Sequence, residues 1–211
     1  MPVLKKLACM QNRRDDVPNQ ELAKELAAPS DRKGIREIAE NLWSKDKNIP
    51  NDCIKVLYEI GYLKPALIGD YVSDFIKLLS SRNNRLVWGG MIALSTVAAI
   101  RPKEIYDDLE KVTKAIANGS VITIDNGIKV LARVAAAREE YSQKIFPYLI
   151  EHLEHCRPKE VAQHAESILC AVNVKNKKTF IGVLTKRQSA LSSAQAARIK
   201  KILKPLQEER T

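Results

Sequence analysis

The hydrophobic positions of the chain recur with a period of about 37 residues. Four leucines set the register, and they stand 37, 37 and 38 residues apart: Leu57, Leu94, Leu131 and Leu169. Small residues occupy the position four residues before each leucine: Cys53, Gly90, Gly127 and Ala165. β-Branched residues occupy the position three residues after it: Ile60, Val97, Val134 and Val172. Because offsets of three and four residues share one face of an α-helix, the pattern predicts one helix per repeat, closely packed through its small residues.

A second apolar column follows each leucine in the same register and predicts a second helix. The positions fifteen residues on are Val72, Leu109, Phe146 and Leu184. Ile35 stands 37 residues before Val72, and Ile38 and Leu42 follow it at helical spacing. These three residues predict the second helix of an earlier repeat. The repeat pattern therefore extends from about residue 20 to residue 187, and it predicts about five helix pairs.

Helix-breaking and capping residues fall at matching places in the repeats. Pro65 and Pro102 stand 37 residues apart and are expected to end first helices. Residues suited to a helix start precede the next first helices: Pro50, Asn83, Ser120 and Pro158. Pro147 falls inside a predicted helix, so it must lie in the first turn or produce a kink. The segment 121–124 has strand propensity, but the repeat register predicts a helix there.

The two-helix unit, with its buried small positions, resembles the HEAT/armadillo superfamily of helical repeats. The resemblance implies an all-α fold, a right-handed α-α superhelix of about five HEAT-like helix pairs. It also implies one repeat domain over residues 1–211, with an irregular or short helical segment at 1–19 and a basic cap helix at 188–211. Proteins of this superfamily are mostly scaffolds and adaptors, so the expected function is non-catalytic binding of a macromolecule.

The positive charge is concentrated at the carboxyl-terminal end. The formal net charge is +10, of which residues 167–211 carry +8 and the other residues +2. No Asp or Glu occurs from Ser167 to Gln207, whereas nine basic residues do: Lys175, Lys177, Lys178, Lys186, Arg187, Arg198, Lys200, Lys201 and Lys204. These nine residues are the predicted binding site for a nucleic acid or another acidic partner, either a protein or an anionic membrane surface. For the scaffold as a whole, the superfamily resemblance implies a protein partner first and a nucleic acid second. A plain solubilising cap is the alternative interpretation of the same charge.

The composition indicates a soluble cytoplasmic protein without a membrane span. The four cysteines are scattered and form no CxxC pair, which is typical of reduced core residues in the cytosol. Lys5 and Lys6 interrupt the apolar residues of the amino terminus, which is unlike a signal peptide. No apolar stretch reaches the length that a bilayer requires.

Residues suited to catalysis or metal binding do not form a recognisable motif. His152, His155, Cys156, His164 and Cys170 could supply zinc ligands. No second close pair completes a tetrahedral set, and His152 at the end of its helix is expected to face solvent. The sequence therefore predicts no metal, no cofactor and no catalytic residue.

HEAT-like DNA glycosylases that remove alkylated purines are the enzymatic alternative. Their basic groove holds a Trp-Trp-Asp cluster, whereas the tryptophans of this chain, Trp43 and Trp88, are single and neither is followed by Asp. No catalytic residue of that family can therefore be assigned here, and Trp88 is expected to pack between repeats.

Overall fold

The computed structural model describes residues 3–208, and this part of the chain contains α-helices and short 3-10 turns but no strand. Two compact units are distinguished, one extending to Val130 and the other beginning at Leu131. The helices that begin in the first unit are α1 (Val17–Ala27), α2 (Arg32–Glu40), α3 (Asn48–Leu63), α4 (Val72–Leu78), α5 (Asn84–Val97), α6 (Pro102–Asp107), α7 (Leu109–Ala117) and α8 (Val121–Ala137). Those of the second unit are α9 (Glu139–His155), α10 (Pro158–Ile168), α11 (Lys177–Arg187) and α12 (Ser193–Glu208). The prediction of an all-α chain is confirmed for the described residues.

The helices follow the predicted repeat along the chain. The first helix of each pair is α1, α3, α5, α8 or α10, and the second is α2, α4, the α6–α7 segment, α9 or α11. Helix α12 follows the fifth pair and corresponds to the predicted cap. Residues 209–211 of that predicted cap, and residues 1 and 2 of the predicted amino-terminal segment, lie outside the described residues. Two 3-10 turns, Val3–Lys6 and Cys9–Gln11, precede α1.

The core of the first unit is built from the predicted columns. Helix α3 packs between α1 and α5, and α4 packs on α5. Leu57 and Leu94 are completely buried, as are Ile35 and Ile38 of the earlier repeat. Burying each such side chain stabilises the fold by about 1.5–3 kcal/mol.

Small residues in the predicted columns permit the close approach of neighbouring helices. A Cβ atom at Gly90 would lie 3.0 Å from the backbone oxygen of Phe75 and 3.1 Å from the Cβ of Leu78. A Cβ atom at Gly127 would overlap the side chain of Ile116. Glycine is therefore required at both positions by packing rather than by backbone conformation.

The helix starts agree with the predicted caps. The side chain of Asn83 accepts a hydrogen bond from the backbone N–H of Arg85 at 3.0 Å and caps α5. Pro158 occupies the first position of α10, where its missing N–H costs nothing. Helix α8 begins at Val121, so the segment 121–124 is helical as the register predicts.

Pro147 lies in the middle of α9 rather than in its first turn. Its ring removes the hydrogen bond that the carbonyl of Gln143 would otherwise accept from the backbone N–H at position 147. Both residues are exposed, so water can serve that carbonyl and the helix continues to His155.

The second unit has its own apolar core beneath α12. Helix α10 contacts α9, α11 and α12, and α11 contacts α9 and α12. The face of α12 that packs on the unit is apolar, and its residues Ile199, Ile202 and Leu203 are buried. Phe180 and Leu184 of α11 are completely buried. The polar side of α12 consequently faces solvent and carries the lysines.

Candidate functional site

The nine predicted basic residues all lie in the second unit, on α11, on α12 and on the loop before α11. Lys175 stands in the loop, whereas Lys177, Lys178, Lys186 and Arg187 lie on α11. The other four lie on α12: Arg198, Lys200, Lys201 and Lys204. Two adjacent helices of one compact unit thus carry eight of the nine positive charges.

Three of the nine residues are engaged within the protein. Lys175 donates to a carboxylate oxygen of Glu139 at 2.9 Å, and the hydrogen bond from this ammonium holds the pKa of Glu139 below its usual range. Arg198 binds the carboxylate of Glu166 through two nitrogens, at 3.1 and 2.6 Å. Arg187 donates to two backbone carbonyls at the end of α9 and so has a structural role.

Four lysines remain available to a partner. Lys178, Lys186, Lys200 and Lys201 are exposed, and none lies within salt-bridge distance of a carboxylate in the described part of the chain. Lys204 is 3.9 Å from Glu208, at the limit of an ion pair. Lys177 is half-buried and has interactions of its own. We call Lys178, Lys186, Lys200 and Lys201 the lysine set.

An open groove runs between the end of α11 and α12. Thr185 of α11 and Gln188 at its end line it together with Lys200, Lys204 and the carboxylate of Glu208 on α12. The groove has a volume of about 430 Å³. Lys178 stands two helical turns before Thr185 on α11, so its side chain emerges from the same face of that helix. Lys178 and Lys200 therefore border a surface that an extended segment could follow.

The first unit contains two further open grooves that sequence reasoning missed. Both include residues of the segment 80–82 between α4 and α5, and Arg82 is common to them. Lys47 and Lys77 line the first groove beside the exposed Trp43, and Lys111 and Lys114 line the second. No carboxylate lines either groove. Acidic residues elsewhere in the first unit offset these positive charges, so the net charge of the unit does not indicate the grooves. The 37-residue spacing between Lys77 and Lys114 is the one sequence feature that could have revealed them.

The two tryptophans do not form a glycosylase-like site. Trp88 is half-buried, and its ring lies 6.3 Å from that of Tyr58, so it packs α5 against α3 as predicted. Trp43 is 52% exposed, in a groove whose lining includes no carboxylate. Among the described residues that line its groove, the exposed Trp43 therefore has no acidic group beside it.

An ion network around the buried Lys55 in the first unit has a structural function. Lys55 lies 2.7 Å from Glu59 and 3.4 Å from Asp16, and Arg85 lies 3.2 Å from Asp16. Burial tends to lower the pKa of Lys55, but its hydrogen bonds to Glu59 and Tyr58 outweigh burial and raise the pKa above its usual value. The ammonium therefore stays charged and joins α3 to the start of α1.

The cysteine thiols are not activated as nucleophiles. Burial, followed by a hydrogen bond with Asp52, raises the pKa of Cys9 to about 12. Burial also raises the pKa of Cys53 and of Cys170. Burial raises the pKa of the Cys156 thiol to about 11, although the nearby Arg187 guanidinium opposes the rise. Because the thiolate is the nucleophile, all four cysteines are less reactive at neutral pH than an unperturbed thiol.

Histidine and cysteine side chains come together at the turn between α9 and α10. The Nε2 atom of His152 lies 2.8 Å from the Nδ1 atom of His164, and His164 is completely buried. The ligand atoms of these two histidines and of Cys156 all lie within 4.8 Å of one another. His152 is half-buried rather than fully exposed, because α10 folds back and places His164 against it. His155 instead bonds the backbone carbonyl of Glu151 and stays exposed.

None of the helices in residues 3–208 is long and apolar enough to cross a membrane.

Comparisons with known proteins identify the fold. No protein-family model matches the chain, and no curated protein matches it. An engineered protein of known crystal structure is similar over 99% of this chain and 98% of its own, with 19% identity and a TM-score of 0.69. A designed armadillo repeat protein in complex with the peptide (KR)4 is similar over 89% and 86% of the two chains, with 14% identity and a TM-score of 0.70.

A karyopherin is also similar in fold. The karyopherin Kap121p, solved bound to the SUMO protease Ulp1p, is similar over 95% of this chain and 22% of its own, with 12% identity and a TM-score of 0.65. At these identities the likeness concerns the fold alone. The predicted HEAT/armadillo-like fold is confirmed, and helical-repeat proteins that bind peptides or proteins are among its structural neighbours.

Proposed function

We propose that the chain is a non-catalytic scaffold that binds an acidic segment of a partner protein along α11 and α12. The observation that carries this proposal is the lysine set, four exposed ammonium groups on two adjacent helices. None of them lies within ion-pair distance of a carboxylate among the described residues. Uncompensated charges of one sign attract and orient a partner of the opposite sign. The adjoining groove supplies a surface for the partner's backbone and side chains.

The type of fold supports a binding role. A designed armadillo repeat protein of this fold is in complex with the basic peptide (KR)4, and Kap121p is bound to a protein. The α11–α12 surface carries the same positive charge as that peptide, so the ligand complementary to this surface is acidic instead.

Two features favour an acidic protein over a nucleic acid. Both arginines of the predicted site are used internally, by Glu166 and by the end of α9, which leaves lysines rather than the bidentate groups that suit phosphates. The aromatic residues of the second unit, among those described, are buried or half-buried: Tyr141, Phe146, Tyr148 and Phe180. They offer no exposed platform on which bases could stack.

The proposed location is the cytoplasm. All four cysteines are free, with no disulfide between them, and free cysteines are usual in a reducing compartment.

Fluorescence anisotropy with three labelled probes tests the class of partner. The probes are an oligoglutamate peptide, a mixed-sequence duplex DNA and a single-stranded RNA, each titrated with the full chain at several salt concentrations. We expect the peptide to bind with an affinity that decreases as salt increases. Tighter binding of the duplex, with a slope of about 0.9 per phosphate contact in a log–log plot, would instead assign the surface to nucleic acid. Failure of all three probes at low salt would make the lysines a solubilising cap.

A further inference from the structure

We propose that His152, Cys156 and His164 form a binding site for a divalent transition-metal ion, with Zn²⁺ as the expected metal. Two imidazole nitrogens and one sulfur converge at the turn between α9 and α10, all within 4.8 Å. None of these three residues belongs to the lysine set, so the proposal is independent of the proposed function.

The helix geometry brings these three side chains together. His152 and Cys156 are four residues apart at the end of α9, so they lie on the same side of its last turn. The backbone N–H of Cys156 donates to the carbonyl of His152 at 2.8 Å, which fixes their relative position. Helix α10 starts two residues later and returns His164 to the same place.

The turn that carries Cys156 is held from two sides. Arg187 of α11 donates to the carbonyl oxygens of Glu154 and Cys156, both at 2.6 Å. The Glu160 carboxylate accepts hydrogen bonds from the backbone N–H of Arg157 at 3.3 Å and from its Nε at 2.9 Å. The backbone on both sides of the cysteine is therefore fixed before any ligand binds, which reduces the cost of ordering a site.

The donor atoms suit zinc in type and in spacing. Zinc prefers imidazole nitrogen at about 2.0–2.1 Å and thiolate sulfur at about 2.3 Å in a tetrahedral arrangement. In such a site two nitrogens stand about 3.3 Å apart and a nitrogen and the sulfur about 3.6 Å apart. The two histidine nitrogens are 2.8 Å apart here. Zinc binding consequently requires the imidazoles to separate by about half an ångström. The sulfur, which lies within 4.8 Å of both nitrogens, completes the site by moving inward.

The sulfur atom is available for this movement. Its hydrogen-bond contact is with the carbonyl of Leu153 at 3.8 Å, which is long and weak. The thiol must lose its proton to bind the metal, and a bound cation supplies the charge that favours the thiolate. No fourth His, Cys, Asp or Glu joins the cluster among the described residues. The fourth tetrahedral position is then filled by water or by a ligand from a partner.

Cobalt substitution tests the site directly. The full chain is expressed without a histidine tag, stripped with a chelator, and titrated with Co²⁺ and then with Zn²⁺. We expect one Co²⁺ per chain, visible bands of tetrahedral cobalt, and a sulfur-to-cobalt charge-transfer band that Zn²⁺ removes. Cys156→Ser should abolish the charge-transfer band. It should also weaken zinc binding by more than about 100-fold, because losing only an outer-shell partner costs about 10- to 100-fold.

Matched variants separate this cluster from other residues of the same kind. His152→Gln should weaken zinc binding as Cys156→Ser does, whereas His155→Gln and Cys170→Ser should bind as the wild type does. Circular dichroism of each variant confirms that it is folded. The proposal is overturned if the folded wild type binds no Co²⁺ or Zn²⁺, or if Cys156→Ser and Cys170→Ser bind equally well. In that case His152 and His164 are only a hydrogen-bonded pair.

Discussion

The guanidinium of Arg187 donates a hydrogen bond to the backbone carbonyl of Cys156 at 2.6 Å. A second bond, at 2.6 Å, reaches the carbonyl of Glu154, so one side chain of α11 caps the end of α9. A residue that charge alone assigns to a binding surface thus stabilises the fold of the second unit.

Arg187→Gln should therefore destabilise the protein. The loss of the two charged donors leaves helix-terminal carbonyls unpaired, and we expect the free energy of unfolding to decrease by about 1–3 kcal/mol. Urea denaturation followed by circular dichroism measures the change. The neighbouring Lys186→Gln is the control, with an expected change within about 0.5 kcal/mol. Equal stabilities of the two variants would show that the capping bonds contribute nothing.

Two glycine substitutions should have opposite effects. Ala at position 127 would place a Cβ against Ile116, and we expect Gly127→Ala to destabilise by about 1–3 kcal/mol. Gly182 lies inside α11 with no atom within 4 Å of an added Cβ, so Gly182→Ala should stabilise by about 0.5–1 kcal/mol. Thermal unfolding of both variants measures these changes. A stable Gly127→Ala protein would contradict the close approach of α7 and α8.

The cysteines should react with iodoacetamide in order of exposure. At neutral pH Cys170, which is exposed, should be modified first and the completely buried Cys53 last. The rate at Cys9 should increase about tenfold per pH unit well into alkaline solution, because its thiolate fraction grows until the pH reaches its pKa of about 12. Mass spectrometry of timed samples follows each site. Early modification of Cys53 in folded protein would contradict its burial.

The helix pairs could be predicted from the sequence because the same buried positions recur in every repeat, about 37 residues apart. The register placed the 121–124 segment in a helix against its strand propensity, and the small residues of α5 and α8 identified close helix contacts. Pro147 was less predictable, because its tolerance inside α9 depends on the exposure of Gln143.

The candidate sites were only partly predictable for a related reason. Sequence shows the number of charges but not their partners, so the pairing of Arg198 with Glu166, 32 residues earlier, was not foreseen. The contact between His152 and His164 likewise depends on how α10 folds back over α9. The spacing of the two residues in the chain gives no sign of that packing.

The most direct test of the central proposal compares two triple variants in their affinity for the labelled oligoglutamate peptide at low salt. One is Lys178→Gln, Lys200→Gln and Lys201→Gln. The other removes three exposed lysines of the first unit: Lys24→Gln, Lys33→Gln and Lys45→Gln. Both lose the same charge, and Gln preserves helix propensity. The account predicts that the first variant binds the peptide about tenfold or more weakly, since each lost charge pair contributes up to about 1 kcal/mol. It predicts near wild-type affinity for the second variant. Equal affinities in the two variants would show that net charge, and not the α11–α12 surface, attracts the peptide.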